Sequence, residues 1–194
     1  GSFVAQEYIT RYGNEISGVI LSGSALQKGV DIAFGRLIAS LQKKLFGEDK
    51  KGKLLSLLSF GTYNKRIPDA KYRFAWLTTD EEEVARYEND PYCGAVASTG
   101  FYYYMLKAFK SMYSDKKIGL IPDELPILII SGTEDPVGAY GKKVRKLYEL
   151  YAKHGLKNVQ MKLYPGMRHE ILNERNKHEV YNDILNWLNT HTGN

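Results

Sequence analysis

The chain has a single cysteine, Cys93, which excludes an internal disulfide and suits a reducing compartment. Long hydrophobic runs are lacking too: Leu125 to Ile130 is far short of the ~20 apolar residues that a membrane-crossing helix needs. No basic segment followed by an apolar one opens the sequence, so no secretory signal is visible. No two histidines are spaced as ligands near a carboxylate, and neither zinc-finger spacing nor a glycine-rich phosphate loop occurs. Internal repeats and low-complexity segments are missing as well. These absences lead us to expect a soluble, cytoplasmic protein with no metal, no cofactor and no transmembrane segment.

What is present is a globular balance. Of 194 residues, 43% are apolar and 25% charged, which excludes a disordered tail or a collagen-like repeat. A chain this long buries roughly 70% of its unfolded surface. The net charge of +5 raises the question of nucleic acid. The basic clusters, Lys43, Lys44, Lys50, Lys51 and Lys53, then Lys142, Lys143, Arg145 and Lys146, fall on or beside amphipathic helical patterns. They read as solvated helix faces, and no nucleic-acid partner is expected.

Ala5, Tyr8, Ile9 and Tyr12 recur at helical spacing, and Gly13 sits where that helix would end. Ile16 to Leu21 is an apolar, β-branched run that predicts a buried strand. Val30, Phe34, Leu37, Ile38, Leu41 and Leu45 then form a helical stripe up to Gly47. Leu54, Leu55, Leu57 and Leu58 suggest a short helix. Thr79 with Glu82 has capping-box spacing, and Asp90-Pro91 would close the helix it starts. Phe101, Met105, Ala108, Phe109 and Met112 form another stripe. The last third alternates: a strand at Ile127 to Ile130, a helix through Val144, Leu147, Tyr148 and Tyr151, a strand at Val159 to Tyr164, and a closing helix through Val180, Ile184, Trp187 and Leu188. That order predicts parallel strands with right-handed crossovers.

The fold class is therefore α/β, with a mostly helical section inserted between the first and second strands. Three parallel strands are few, and the first would leave an apolar edge unpaired. The expected partner is further polypeptide on the N-terminal side, or a second copy along that edge.

Ligands of open α/β sheets bind beyond the carboxyl ends of the strands. Asp135 follows one strand and His169 follows the next. Neighbouring strands lie ~4.8 Å apart, so loops leaving them can bring carboxylate and imidazole together. A carboxylate on one imidazole nitrogen fixes the tautomer and leaves the other free to take a proton, which makes the two a candidate catalytic pair. His154, His178 and His191 read as structural.

Leu125-Pro126-Ile127-Leu128-Ile129-Ile130-Ser131-Gly132 running into Glu134-Asp135-Pro136-Val137-Gly138, and Tyr164-Pro165-Gly166 before Arg168-His169-Glu170, resemble the α/β-hydrolase fold. The likeness is to its monoacylglycerol lipase and lysophospholipase-like serine hydrolases. Trp76-Leu77 with Asp80, and Asp90-Pro91-Tyr92-Cys93-Gly94, look like features of that family's cap. The resemblance implies that Asp135 and His169 are the acid and base of a Ser-His-Asp triad. It also implies a hydrolase core at 1–24 and 121–194, and a helical cap at 25–120 over an acyl pocket. Trp76, Phe101 and Val137 are the pocket candidates. The family carries its nucleophile in a Gly-x-Ser-x-Gly elbow; Gly1-Ser2-Phe3-Val4-Ala5-Gln6 looks like the tail of that elbow, which places the serine upstream of Gly1.

The expected function is hydrolysis of carboxylic esters of lipid-like substrates, such as monoacylglycerols or lysophospholipids. The upstream half would be the chain's partner, and the chain alone would be inactive. The other reading is a catalytically inactive binding protein on the same scaffold.

Overall fold

The computed structural model describes residues 1–191. Three parallel strands, β1 (Val19–Ser22), β2 (Ile127–Gly132) and β3 (Val159–Tyr164), form one sheet in the order β1-β2-β3. Every residue of β2 is buried, as a central strand covered on both faces requires. Its alternate side chains divide between two sets of helices. Ile127 and Ile129 pack with Ile9 of α1 (Ser2–Tyr12) and with Val144, Leu147 and Tyr151 of α7 (Lys142–Lys153). Leu128 and Ile130 pack with Val180 and Trp187 of α8 (Lys177–His191) on the opposite face.

The first strand is shorter than its apolar run and begins later, at Val19 rather than Ile16. β2 starts only after Pro126, which has no N–H to donate, so residues 16–18 have no ladder to join. Val19 opens the pairing by donating to the Pro126 carbonyl at 2.9 Å.

Between β1 and β2 the chain is mainly helical: α2 (Val30–Phe46), α3 (Lys53–Phe60), α4 (Glu81–Asn89), α5 (Thr99–Met112) and the single turn α6 (Asp115–Ile118). The helical stripes are buried only in part: Ile38 of the first, and Met105, Phe109 and Met112 of the second, pack with the core. On α2, Val30, Phe34, Leu37, Leu41 and Leu45 are exposed, while Ala39 is fully buried and Ile32 and Ile38 pack beside it. On α5 the buried positions are Tyr102, Leu106, Phe109 and Met112, a register that turns Phe101 outward. Both faces are set by the packing of α2 against α5, where Leu106 lies beside Gly35.

The start of α4 also differs from the expected capping box. Asp80 is the N-cap and accepts the Glu82 N–H at 3.1 Å, one residue later than Thr79. Thr79 instead bonds Glu174, far along the sequence. Ala39, Leu55, Tyr102, Leu106 and Phe109 belong to the same buried cluster as Ile127 and Ile129, so the apolar interior runs unbroken from the insertion to the sheet. Among the described residues no helix is long and apolar enough to cross a membrane.

Candidate active site

Asp135 sits in the turn that follows β2 and is fully buried. Its Oδ1 accepts the Val137 N–H at 2.8 Å, and its Oδ2 accepts the Ser131 hydroxyl at 2.9 Å. His169, in the loop after β3, brings Nδ1 to 3.1 Å from the same Oδ2. An ionised carboxylate can only accept, so the imidazole proton belongs on Nδ1 and the lone pair on Nε2. The ring keeps 26% side-chain exposure, while the carboxylate has none. In that tautomer Nε2 is the imidazole nitrogen able to take a proton.

Two glycines make the approach possible. A Cβ on Gly132, the last residue of β2, would lie 2.0 Å from the Met167 carbonyl and 2.3 Å from that of Arg168. Only a bare backbone lets the His169 loop pass so close to the strand end. Gly23, just after β1, has φ +59°, and a Cβ there would fall 2.7 Å from His169 Cε1.

Aromatic side chains complete the surroundings. The Trp76 ring lies 5.3 Å from the imidazole, with Tyr63 edge-on to it at 4.9 Å. Burial, together with the negative charge of Asp135, pushes the Tyr63 phenol up to about 12, so it stays neutral. Val137 packs its side chain with Trp76 and Leu77. Trp76 is also part of the wall of a cavity of about 650 Å³, lined by Phe60, Asn64, Phe74, Tyr87 and Tyr102. Phe101 does not join them: it is 55% exposed, and its neighbour Tyr102 takes the inward position.

The other histidines are held at helix ends or on the surface. His154 spans the Leu150 carbonyl and Asp115, His191 meets the Trp187 carbonyl, and His178 lies against Tyr181. Among the described residues no three His, Cys, Asp or Glu side chains are grouped to hold a metal ion. Sequence reasoning missed Gly23, Gly132, Ser131 and Glu174. The first three stand in the small-residue stretches Ser22-Gly23-Ser24 and Ser131-Gly132 that end two strands, a signal legible as strand termination but not as room for an imidazole.

A family match extends over residues 1–176, to the serine aminopeptidase S33 family. The chain belongs to this family. Its fold is the α/β-hydrolase fold. A thermostable carboxyl esterase from Bacillus coagulans is 28% identical and superimposes with a TM-score of 0.87, over 98% of this chain and 62% of that one. The monoacylglycerol lipase of Paleococcus ferrophilus is 20% identical with a TM-score of 0.72, covering 98% of this chain and 65% of its own. A soluble variant of monoglyceride lipase from Saccharomyces cerevisiae is 22% identical with a TM-score of 0.70, over 98% and 62% respectively. At those identities the two lipases testify to the fold alone. The chain of this family member spans 62% to 65% of the length of these three proteins.

Proposed function

We propose that the chain is the acid- and base-bearing part of a serine hydrolase that cleaves carboxylic esters of lipid-like alcohols, monoacylglycerols or lysophospholipids among them. The observation that carries this reading is the 3.1 Å contact between His169 Nδ1 and the buried Asp135 carboxylate. It leaves Nε2 as the nitrogen able to take a proton. A serine hydroxyl supplied from upstream of Gly1 would give its proton to Nε2 as its oxygen bonds to the ester carbonyl carbon. The imidazolium, stabilised by Asp135, would then protonate the alkoxide as the carbon–oxygen bond breaks. Water would enter by the same steps, releasing the acid and restoring the serine.

The likeness to the carboxyl esterase supports ester rather than peptide cleavage. The aromatic walls around Trp76 suit an acyl chain. In this reading residues 25–120 are the cap, residues 1–24 and 121–194 are core, and Trp76 and Val137 border the substrate.

The test is turnover of a short-chain p-nitrophenyl ester by the chain alone and after adding the upstream segment, with an aminoacyl p-nitroanilide in parallel. We expect none from the chain alone, and ester turnover on complementation that His169→Ala abolishes. Asp135→Asn should lower it by on the order of 10³- to 10⁴-fold, through loss of the tautomer. Turnover of the anilide only would point to a peptidase; turnover of neither by a folded complex would point to a binding protein.

A further inference from the structure

The loop that carries His169 is tied to the segment 75–79 by a buried carboxylate, that of Glu174, and a half-buried guanidinium, that of Arg168. Glu174 is 2% exposed. Its Oε1 accepts the Arg168 N–H at 2.7 Å, and its Oε2 accepts both the N–H of Thr79, at 3.0 Å, and the Thr79 hydroxyl. Arg168 answers across the same seam, donating through Nη1 to the carbonyls of Ala75 at 2.8 Å and Thr78 at 2.9 Å. Between them the Glu170 N–H donates to the Leu77 carbonyl at 2.7 Å, and the Thr78 hydroxyl to the Asn173 carbonyl at 3.0 Å. His169 and Trp76 stand in the middle of these two strapped segments, ring against ring.

Every partner of Glu174 is a donor, so the site needs an acceptor-only group. An amide in its place would turn one oxygen into a donor facing donors. Charge-assisted acceptance by a buried carboxylate is also among the stronger hydrogen bonds available. None of these hydrogen bonds is made by the His169 ring, so the network's contribution is to geometry.

We propose that Glu174 is a positioning residue: it locks residues 75–79 to the His169 loop, so that Trp76 keeps its place against the imidazole and Nδ1 stays aimed at Asp135. Its value to catalysis rests on the hydrolase reading, but the geometric statement does not. A movement of residues 75–79 would then reach His169 through this strap.

The experiment uses the 194-residue chain with its histidines labelled with ¹⁵N, and follows the hydrogen-bonded Nδ1 proton resonance of His169. Its assignment comes from its disappearance in Asp135→Asn. In Glu174→Gln we expect that resonance to be lost to solvent exchange and the tryptophan emission to shift to the red. Thr79→Val, which removes one hydroxyl and keeps the N–H, should move both in the same direction by less. Tyr164→Phe removes the hydroxyl that donates to Asp183 at 2.8 Å, on β3 and away from the strap, and should leave the resonance in place. A folded Glu174→Gln protein with the wild-type resonance would overturn the proposal. If Glu174→Gln does not fold, an unchanged resonance in Thr79→Val would do so. Neither readout involves ester turnover, so an unchanged resonance leaves the hydrolase reading standing. Failure of the ester assay leaves the strap standing.

Discussion

Gly132 and Gly23 set how closely the His169 loop can lie on the sheet, and they do so for different reasons. At Gly132 the obstruction is backbone carbonyl oxygen at 2.0 Å and 2.3 Å, which cannot swing aside as a side chain would. Gly132→Ala should therefore cost about 3 kcal/mol or more, read as a fall in the urea midpoint. Gly155 supplies the contrast, since it has φ +87° and nothing within 4 Å of an added Cβ. Gly155→Ala should cost only the left-handed backbone penalty of roughly 1–2 kcal/mol. Equal losses at the two positions would mean that crowding at the end of β2 is not what selects glycine there. Neither requirement is legible in sequence, because a glycine after a strand looks the same whether it ends the strand or makes room for a neighbour.

At the scale of the element, helical periodicity was readable and its direction was not. The spacing of Val30, Phe34, Leu37, Ile38, Leu41 and Leu45 does mark a helix, and α2 spans Val30–Phe46. All of that stripe but Ile38 nonetheless faces outward, because the buried face of α2 runs through Ile32, Ile38 and Ala39, with Gly35 beside Leu106 of α5. Small residues let two helices approach closely, and a hydrophobicity count undervalues them against leucines. The double change Leu37→Ser, Leu41→Ser should alter unfolding free energy by no more than about 0.5 kcal/mol per site. Leu106→Ala, on the buried face of α5, should lose roughly 2–5 kcal/mol. Denaturant titration of both proteins checks the pair, and a larger loss from the α2 change would mean that its stripe is covered in solution. The start of α4 makes the same point at smaller scale: Thr79 fits a capping box, yet its hydroxyl and N–H are engaged by Glu174.

For the whole molecule, ion pairs between elements give a signed dependence on pH. Glu7 of α1 accepts from Lys117 of α6 at 2.5 Å and from Arg11 at 2.8 Å. Asp183 of α8 accepts from Lys162 at 2.5 Å and from the Tyr164 hydroxyl at 2.8 Å on β3. Burial pushes both carboxyls up, but the hydrogen bonds and charges of these partners outweigh it and hold both below their ordinary values of 4.5 and 3.8. A carboxyl depressed in the folded state adds stability above its unfolded value and loses it as pH falls through its folded value. Stability should therefore be flat near pH 6 and fall once pH drops below about 4.5, on carboxylate linkage grounds. Asp183→Asn should lower the urea midpoint at pH 6 and make the acid fall shallower, since one titrating contributor is gone. An equally steep fall in that variant would assign the acid sensitivity to other carboxylates.

Taken by itself, the sequence determined the local order: strands after Pro126 and at Val159, helices at the right periods, and an Asp and a His placed just beyond successive strands. Those features are short-range, written in hydrophobic spacing and turn residues, and the parallel pairing follows from the connections between them. Only the tertiary structure decided which apolar faces are inside, where β1 begins, and that Tyr102 rather than Phe101 turns inward. It alone joined residues 75–79 to residues 168–174, almost a hundred positions away, through Arg168 and Glu174. Such choices depend on which surface reaches a helix or loop first in three dimensions. Chain spacing carries no record of it, because burial is a property of the neighbour as much as of the residue.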